Sequence, residues 1–142
     1  MLTQFVLKNV LSFKEETVFD MRAINAYKEH PENTADSGYG DKILRVATIY
    51  GANASGKSNF TLAMYIFRAI VAESLNNAND GKLLAIHKFY LPFLLSEEKA
   101  NSEFEIVNII DDAEYRYGFE YNDECIVEEW LYKKNLKTNR TA

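Results

Sequence analysis

The sequence has 142 residues, 47% of them hydrophobic and 26% charged; that is enough for one compact domain with a core, and it excludes a chain disordered throughout. The formal net charge of −5 argues against the whole surface binding DNA or RNA and leaves room only for a local basic patch. The single cysteine, Cys125, excludes an internal disulfide; the opening MLTQFVLKNVLSFKEE lacks the parts of a signal peptide, and no apolar run reaches membrane-span length, so a cytoplasmic location without a membrane partner is expected.

Leu2 to Val10 reads as a strand with Phe5, Leu7 and Leu11 on one face. Leu11-Ser12-Phe13 is a short connection. Glu16 to Met21 alternates, and the two runs are expected to pair antiparallel. The pattern then breaks at Asn25, His30-Pro31, Asn33, Asp36-Ser37-Gly38 and Gly40-Asp41. Residues 23–41 are therefore expected as a long loop, with His30 a solvated loop histidine. Ile43 to Tyr50 is apolar and β-branched and reads as another strand.

The next stretch, GANASGKSN, fits G-x-x-x-x-G-K-[ST] without a mismatch at Gly51, Gly56, Lys57 and Ser58. Beyond it Phe60, Ala63, Met64, Phe67, Ile70, Val71 and Leu75 recur at helical spacing, up to about Asn76. Strand, loop, helix is the setting a phosphate-binding loop requires. A triphosphate packs several charges into a small volume. Backbone N–H groups of Gly51, Ala52, Asn53, Ala54, Ser55 and Gly56 can wrap it, and the helix start adds its positive dipole end. Lys57 should meet the β- and γ-phosphates as a point charge. Ser58 should place its hydroxyl on Mg²⁺, the one metal ligand expected of this chain; Asn59 follows the motif's last position and is expected among the nucleotide-binding residues. A nucleoside triphosphate with Mg²⁺ is thus the expected ligand.

Asn76 to Gly81 is a run of caps and turn formers, and Leu83 to Ile86 is expected to add a helical turn. His87 to Leu95, broken by Pro92, reads as an edge strand or extended segment, and Ser96 to Asn101 as a charged turn. Residues 102–133 then read as an antiparallel meander: Glu103 to Ile110, Tyr115 to Tyr121, and Cys125 to Lys133 with Ile126, Trp130 and Tyr132 on one face. The stripe Tyr115, Tyr117, Phe119, Tyr121 reads as a packed sheet face rather than a base-stacking platform. Ile106 to Asp112 imitates the apolar strand ending in acid that positions Mg²⁺ and water. Asn108 interrupts it, and Asp111-Asp112-Ala113 makes a better hairpin turn. The tail from Lys133 needs no element.

The opening strand with Lys8-Asn9 and Ser12-Phe13, the loop with His30, GANASGKSN, and the YRYGFEY and EEWLY strands resemble the N-terminal part of bacterial AAA-family ATPases of the ABC/SMC/RecF type, related to those of phage-defence systems. The resemblance implies a mixed α/β P-loop lobe spanning 1–142, with an antiparallel β-subdomain and one main helix after the phosphate loop. It places Ser12 and Phe13 on the adenine and ribose side. It implies a homodimer of heads clamping ATP, and a coupled effector protein. A signature motif such as L-S-G-G, a glutamine loop and an acidic Mg²⁺ strand are absent from this sequence, so no catalytic residue is assigned, and ATP binding with negligible turnover is expected. The alternative is an assembly module that pairs with a partner chain, with or without nucleotide. A small metabolite kinase fits less well, because some fifty residues precede the loop.

Overall fold

The computed structural model describes residues 1–142 except 25, 27, 28, 80–84, 97, 98, 139 and 142. β1 (Leu2–Lys8) pairs antiparallel with β2 (Thr17–Asp20), with Phe5 opposite Phe19. On its other edge β1 pairs antiparallel with β5 (Ser102–Ile110), which brings the start of the chain beside its last third. β5, β6 (Ala113–Tyr121) and β7 (Ile126–Asn135) form the meander, and β8 (Arg140–Thr141) adds to β7. The sheet order is β2-β1-β5-β6-β7-β8. One long helix, α1 (Lys57–Asn79), follows the glycine loop. This is a mixed α/β chain with an antiparallel sheet, as its sequence implies.

Strand alternation turns Phe5, Leu7, Phe104, Phe119 and Tyr121 toward α1, whose Phe60, Ala63, Ile66 and Ile70 meet them at helical spacing. The rings interlock. Phe67 stacks on Phe119 at 5.6 Å between centroids and meets Phe5 and Phe104 edge-on, while Phe104 stacks on Phe5 and Tyr121 at 5.8 Å. Apolar burial supplies most of the stabilisation, and the offset and edge geometries add to it. The tyrosine stripe is thus a packed face at Phe119 and Tyr121. Tyr117 is half-buried against Phe67, and Tyr115 lies under the Lys133 ammonium at 5.4 Å.

The opposite sheet face is polar. Glu105 is buried there, accepting hydrogen bonds from Arg116 Nε at 2.6 Å and Trp130 Nε1 at 2.9 Å. Burial, against the pull of Lys8 and with Glu16, Glu120 and Glu105 adding repulsion, pushes the Glu103 carboxyl above the usual glutamate range.

Several sequence expectations are corrected. The run Ile43 to Tyr50 forms a strand only in β4 (Lys42–Leu44); residues 45–50 join no ladder, and Val46 and Tyr50 stand exposed. A strand needs a neighbour to bond, and beyond Arg45, whose N–H bonds to the Asn33 carbonyl at 2.9 Å, no backbone bond among the described residues ties this run to another segment. The long loop 23–41 is not wholly irregular. It holds a 3₁₀ turn at Pro31–Asn33 and β3 (Thr34–Asp36), which pairs antiparallel with β4. His30 is exposed, with Glu32 Oε1 at 3.0 Å from its Nδ1. Of the two expectations for His87 to Leu95, the edge strand is not formed. Ile86–Lys88 makes a 3₁₀ turn, Pro92 has no N–H, and the Leu91 carbonyl accepts from Leu11 N–H at 2.7 Å instead of from a strand. Ile126 does not share a face with Trp130 and Tyr132. The register shifts between Glu120 and Tyr121, so Ile126 opposes Tyr121 on the helix side while Trp130 opposes Gly118 on the polar side. One extra residue reverses strand parity. β7 runs to Asn135 and the tail carries β8, so the tail is not without an element. α1 runs beyond Asn76 to Asn79. The expected caps at 80 and 81, the helical turn at 83 and 84, the loop signal at 25 and part of the turn at 96–101 lie outside the described residues.

Candidate functional site

The loop from Gly51 to Ser58 sits at the N-terminal end of α1. Ala54 and Gly56 have φ of 64° and 90°, so the chain turns twice through the left-handed region before entering the helix. Alanine there is strained by about 1–2 kcal/mol; glycine at 56 is not. The Ser55 N–H bonds to the Ala52 carbonyl at 3.2 Å, and the first helical bond runs from Phe60 N–H to the Gly56 carbonyl at 3.0 Å. The Lys57 side chain bends back into the loop. Its ammonium donates to the Gly51 carbonyl at 2.8 Å, the Ala52 carbonyl at 2.6 Å and Ser55 Oγ at 3.5 Å. The loop thus curls around a positive charge, with the amide-rich helix start beside it. Residues 51 to 55 and Ser58 are exposed, and Gly56, Lys57 and Asn59 are half-buried. A loop so open lets an anion reach its backbone.

Ser12 and Phe13, from the turn between β1 and β2, are brought to the same place. A methyl group at Gly56 would lie 2.9 Å from Ser12 Oγ and 3.9 Å from the tip of the Phe13 ring. Phe13 also packs against Phe60 of α1 at 6.4 Å. The turn between β1 and β2 is closed by paired bonds between Val10 and Phe13, both 2.9 Å.

Sequence reasoning missed the residue that fixes this turn. Asn9 is buried at φ 51°, a conformation asparagine tolerates better than most residues. Its Nδ2 donates to the Ala100 carbonyl at 2.6 Å and the Asn101 carbonyl at 3.2 Å, and its Oδ1 accepts from Phe93 N–H at 3.1 Å. Its own carbonyl accepts from Ser102 Oγ at 2.6 Å. Asn9 thereby clamps Phe93 and residues 100–102 onto the first turn. A polar residue ending an apolar strand run was the available signal.

A family model described as "AAA domain, putative AbiEii toxin, Type IV TA system" matches residues 46–141, more than half of the chain. The chain belongs to this family. A search of curated proteins finds no match. The matched span holds the glycine loop, α1 and the meander; Asn9, Ser12 and Phe13 precede it. An AAA domain is a nucleotide-binding, ATPase-like domain, and that coarse function comes with membership.

Within the AAA domain, Asp111 and Asp112 occupy the β5–β6 turn, Asp111 at φ 52°. Asp112 is tied to Lys137 Nζ and to the Tyr39 hydroxyl, contacts that hold its carboxyl below the usual aspartate range. β5 pairs antiparallel on both sides, so it is not a parallel core strand delivering an acid. Among the described residues no group of three or more His, Cys, Asp or Glu side chains is placed to hold a metal ion. A cation at the loop would depend on Ser58, phosphate oxygens and water, a ligand set that suits Mg²⁺. No helix of the described residues is long and apolar enough to cross a membrane.

Proposed function

We propose that the chain binds Mg-ATP through Gly51 to Ser58 as a Walker A phosphate loop, and serves as the nucleotide lobe of an ABC/SMC-like ATPase. The observation that carries this reading is the loop itself. It turns at Gly56 directly into a 23-residue helix and holds the Lys57 ammonium within its curve. Incoming phosphate oxygens replace the Gly51 and Ala52 carbonyls as partners of Lys57, and Ser58 meets Mg²⁺. Ser12 and Phe13 line the nucleoside side. The family description, with its toxin and type IV system, supports a setting in phage defence, with a DNA transaction as the other candidate. A dimer of heads, an effector protein and a cytoplasmic location complete the proposal. The Asp111–Asp112 pair is committed to its turn, which supports binding with negligible turnover.

Calorimetry of ATP and ADP, with and without Mg²⁺, tests this beside Lys57→Ala. Binding should need both Mg²⁺ and Lys57. Affinity unchanged in Lys57→Ala sinks the proposal. Robust turnover lost on Asp111→Asn or Asp112→Asn overturns the part about catalysis.

One observation favours a second reading, assembly with a partner chain. Val46, Ile49 and Tyr50 are 69%, 43% and 87% exposed, and Leu62 and Tyr65 on α1 are exposed as well. Apolar side chains with unbonded backbone beside them invite pairing. Light scattering with and without ATP decides: a strict monomer in both conditions removes this reading.

A further inference from the structure

β7 carries an edge that the rest of the sheet leaves open. One side of it pairs with β6, while on the other side β8 reaches only Lys134 and Asn135. From Ile126 to Tyr132 no strand among the described residues lies on that outer side. Val127, Leu131 and Tyr132 are 50%, 63% and 51% exposed along it. Unpaired backbone groups beside exposed apolar side chains form a template for another strand. We propose that a second copy of this chain supplies that strand, β7 pairing antiparallel with β7 about a two-fold axis at Leu131. The contact uses neither the glycine loop nor residues 45–50, so it does not rest on the nucleotide reading.

The direction of the backbone groups sets the register. The Leu136 N–H donates to the Asp112 carbonyl at 2.9 Å, on the β6 side. Residues of an antiparallel strand bond to alternate sides, and the register shift opposite Glu120 and Tyr121 lies before Glu129. Trp130, Tyr132 and Lys134 therefore bond toward β6, and Glu129, Leu131 and Lys133 turn their N–H and C=O groups to the open edge. Pairing centred on Leu131 sets these groups against one another. Leu131 opposes Leu131, and Glu129 opposes Lys133 of the second copy.

The side chains favour the same register. Glu128-Glu129-Trp130-Leu131-Tyr132-Lys133-Lys134 is its own complement when reversed. Glu129 meets Lys133 and Trp130 meets Tyr132, and the two-fold axis makes each pair twice. Opposite charges directly across a ladder favour it, aromatic pairs add to it, and like charges oppose it. Sliding by two residues in either direction leaves no glutamate facing a lysine. Glu129 and Lys133 are exposed, and among the described residues neither has an ion-pair partner. Glu129 accepts from the Tyr117 hydroxyl at 2.8 Å, and the Lys133 ammonium lies 5.4 Å from the centre of the Tyr115 ring. β8 stands where Glu128 of the second copy would run beside Lys134. It holds by two residue pairs, so it yields to a longer strand. Like edges that meet consume each other, and the assembly closes at two copies.

The test is sedimentation velocity of the full chain over a concentration series, with and without Mg-ATP. A monomer–dimer equilibrium that nucleotide does not change is expected. Glu129→Lys and Lys133→Glu each set like charges across the axis twice and should weaken the dimer about tenfold. Combined in one chain, the two changes restore opposite charges and should return the affinity to within about threefold of the native chain. Damage to the fold would not be repaired in this way. A chain monomeric at every concentration, single variants of native affinity, or a combined variant no tighter than either alone overturns the inference. So does a dimer that forms only with Mg-ATP, which would belong to the clamp of heads and leave the nucleotide proposal standing.

Discussion

Gly118 sits in mid-strand on β6, where a side chain would normally help. The Trp130 indole fills the space instead. A methyl group at Gly118 would stand 2.5 Å from the indole and 2.7 Å from the Phe104 carbonyl, which is backbone and cannot yield. Gly118→Ala should cost about 1–3 kcal/mol, read by urea titration. It should also loosen the Trp130 bond to Glu105, seen as a red shift of tryptophan emission. Glu103, on the same face, behaves in the opposite sense. Its folded pKa is raised, so the fold disfavours the charged form. Folding is penalised above the folded pKa, and the penalty vanishes as pH falls below the unfolded value. Glu103→Gln should therefore raise Tm at about pH 7 and give no gain at about pH 4, below the ordinary glutamate value. Asp20 has the reverse sign, because its Arg22 hydrogen bond lowers its pKa. The stability it adds is present at neutral pH and is lost as pH falls through its folded value, but an exposed pair contributes little.

α1 is where sequence and structure agree most closely, because both the motif and the helical period are local signals. The helix gains its stability from one face only. Phe104 of β5 is fully buried against it, whereas Leu62 on the opposite side of α1 is exposed. Phe104→Ala should cost about 3–5 kcal/mol and Leu62→Ala less than about 0.5 kcal/mol, compared by denaturant midpoints. The meander was legible for the same reason as the helix: alternation at Tyr115 to Tyr121 and turn formers at Asp111 and Asn122 need no distant partner. Features that failed to show depend on non-local pairing. Residues 45–50 have strand composition, yet a strand exists only beside another. The small β3–β4 pair hid in a stretch rich in loop signals, because three-residue strands carry too little pattern to detect. The face of Ile126 hinged on a register shift opposite Glu120 that no alternation reveals. The site divides in the same way. The loop from Gly51 to Asn59 ahead of α1 was readable as a candidate site from its motif, and Ser12 and Phe13 came only through resemblance. Asn9 needed the fold, since its bonds span some ninety residues of chain.

At the scale of the whole molecule, binding and stability are one measurement. A ligand that binds the folded chain and not the unfolded one stabilises it by mass action, by about 2.7 kcal/mol at a hundred times Kd. For a domain of this size that is on the order of 10 °C in Tm. The site's construction makes the unfolded reference clean. The first turn, the glycine loop and residues 90–95 are distant in sequence and meet only through the fold, by way of Asn9, Leu11 and Ser12. Unfolding therefore scatters the site. Under the proposed function, saturating Mg-ATP should raise Tm by roughly that amount in the native chain. Lys57→Ala should melt near the ligand-free native chain and lose the ATP increment, because its half-buried side chain, among the described residues, bonds to the loop alone. Asn9→Ala should behave differently. Removing a buried side chain with three hydrogen bonds lowers the ligand-free Tm first, by about 1–3 kcal/mol of stability, and weakens ATP second, by releasing Phe93, Ala100 and Asn101. Differential scanning fluorimetry of the three proteins, with and without Mg-ATP, separates a charge that holds phosphate from a clamp that holds the site. If Lys57→Ala keeps the full increment, nucleotide is bound somewhere other than the loop.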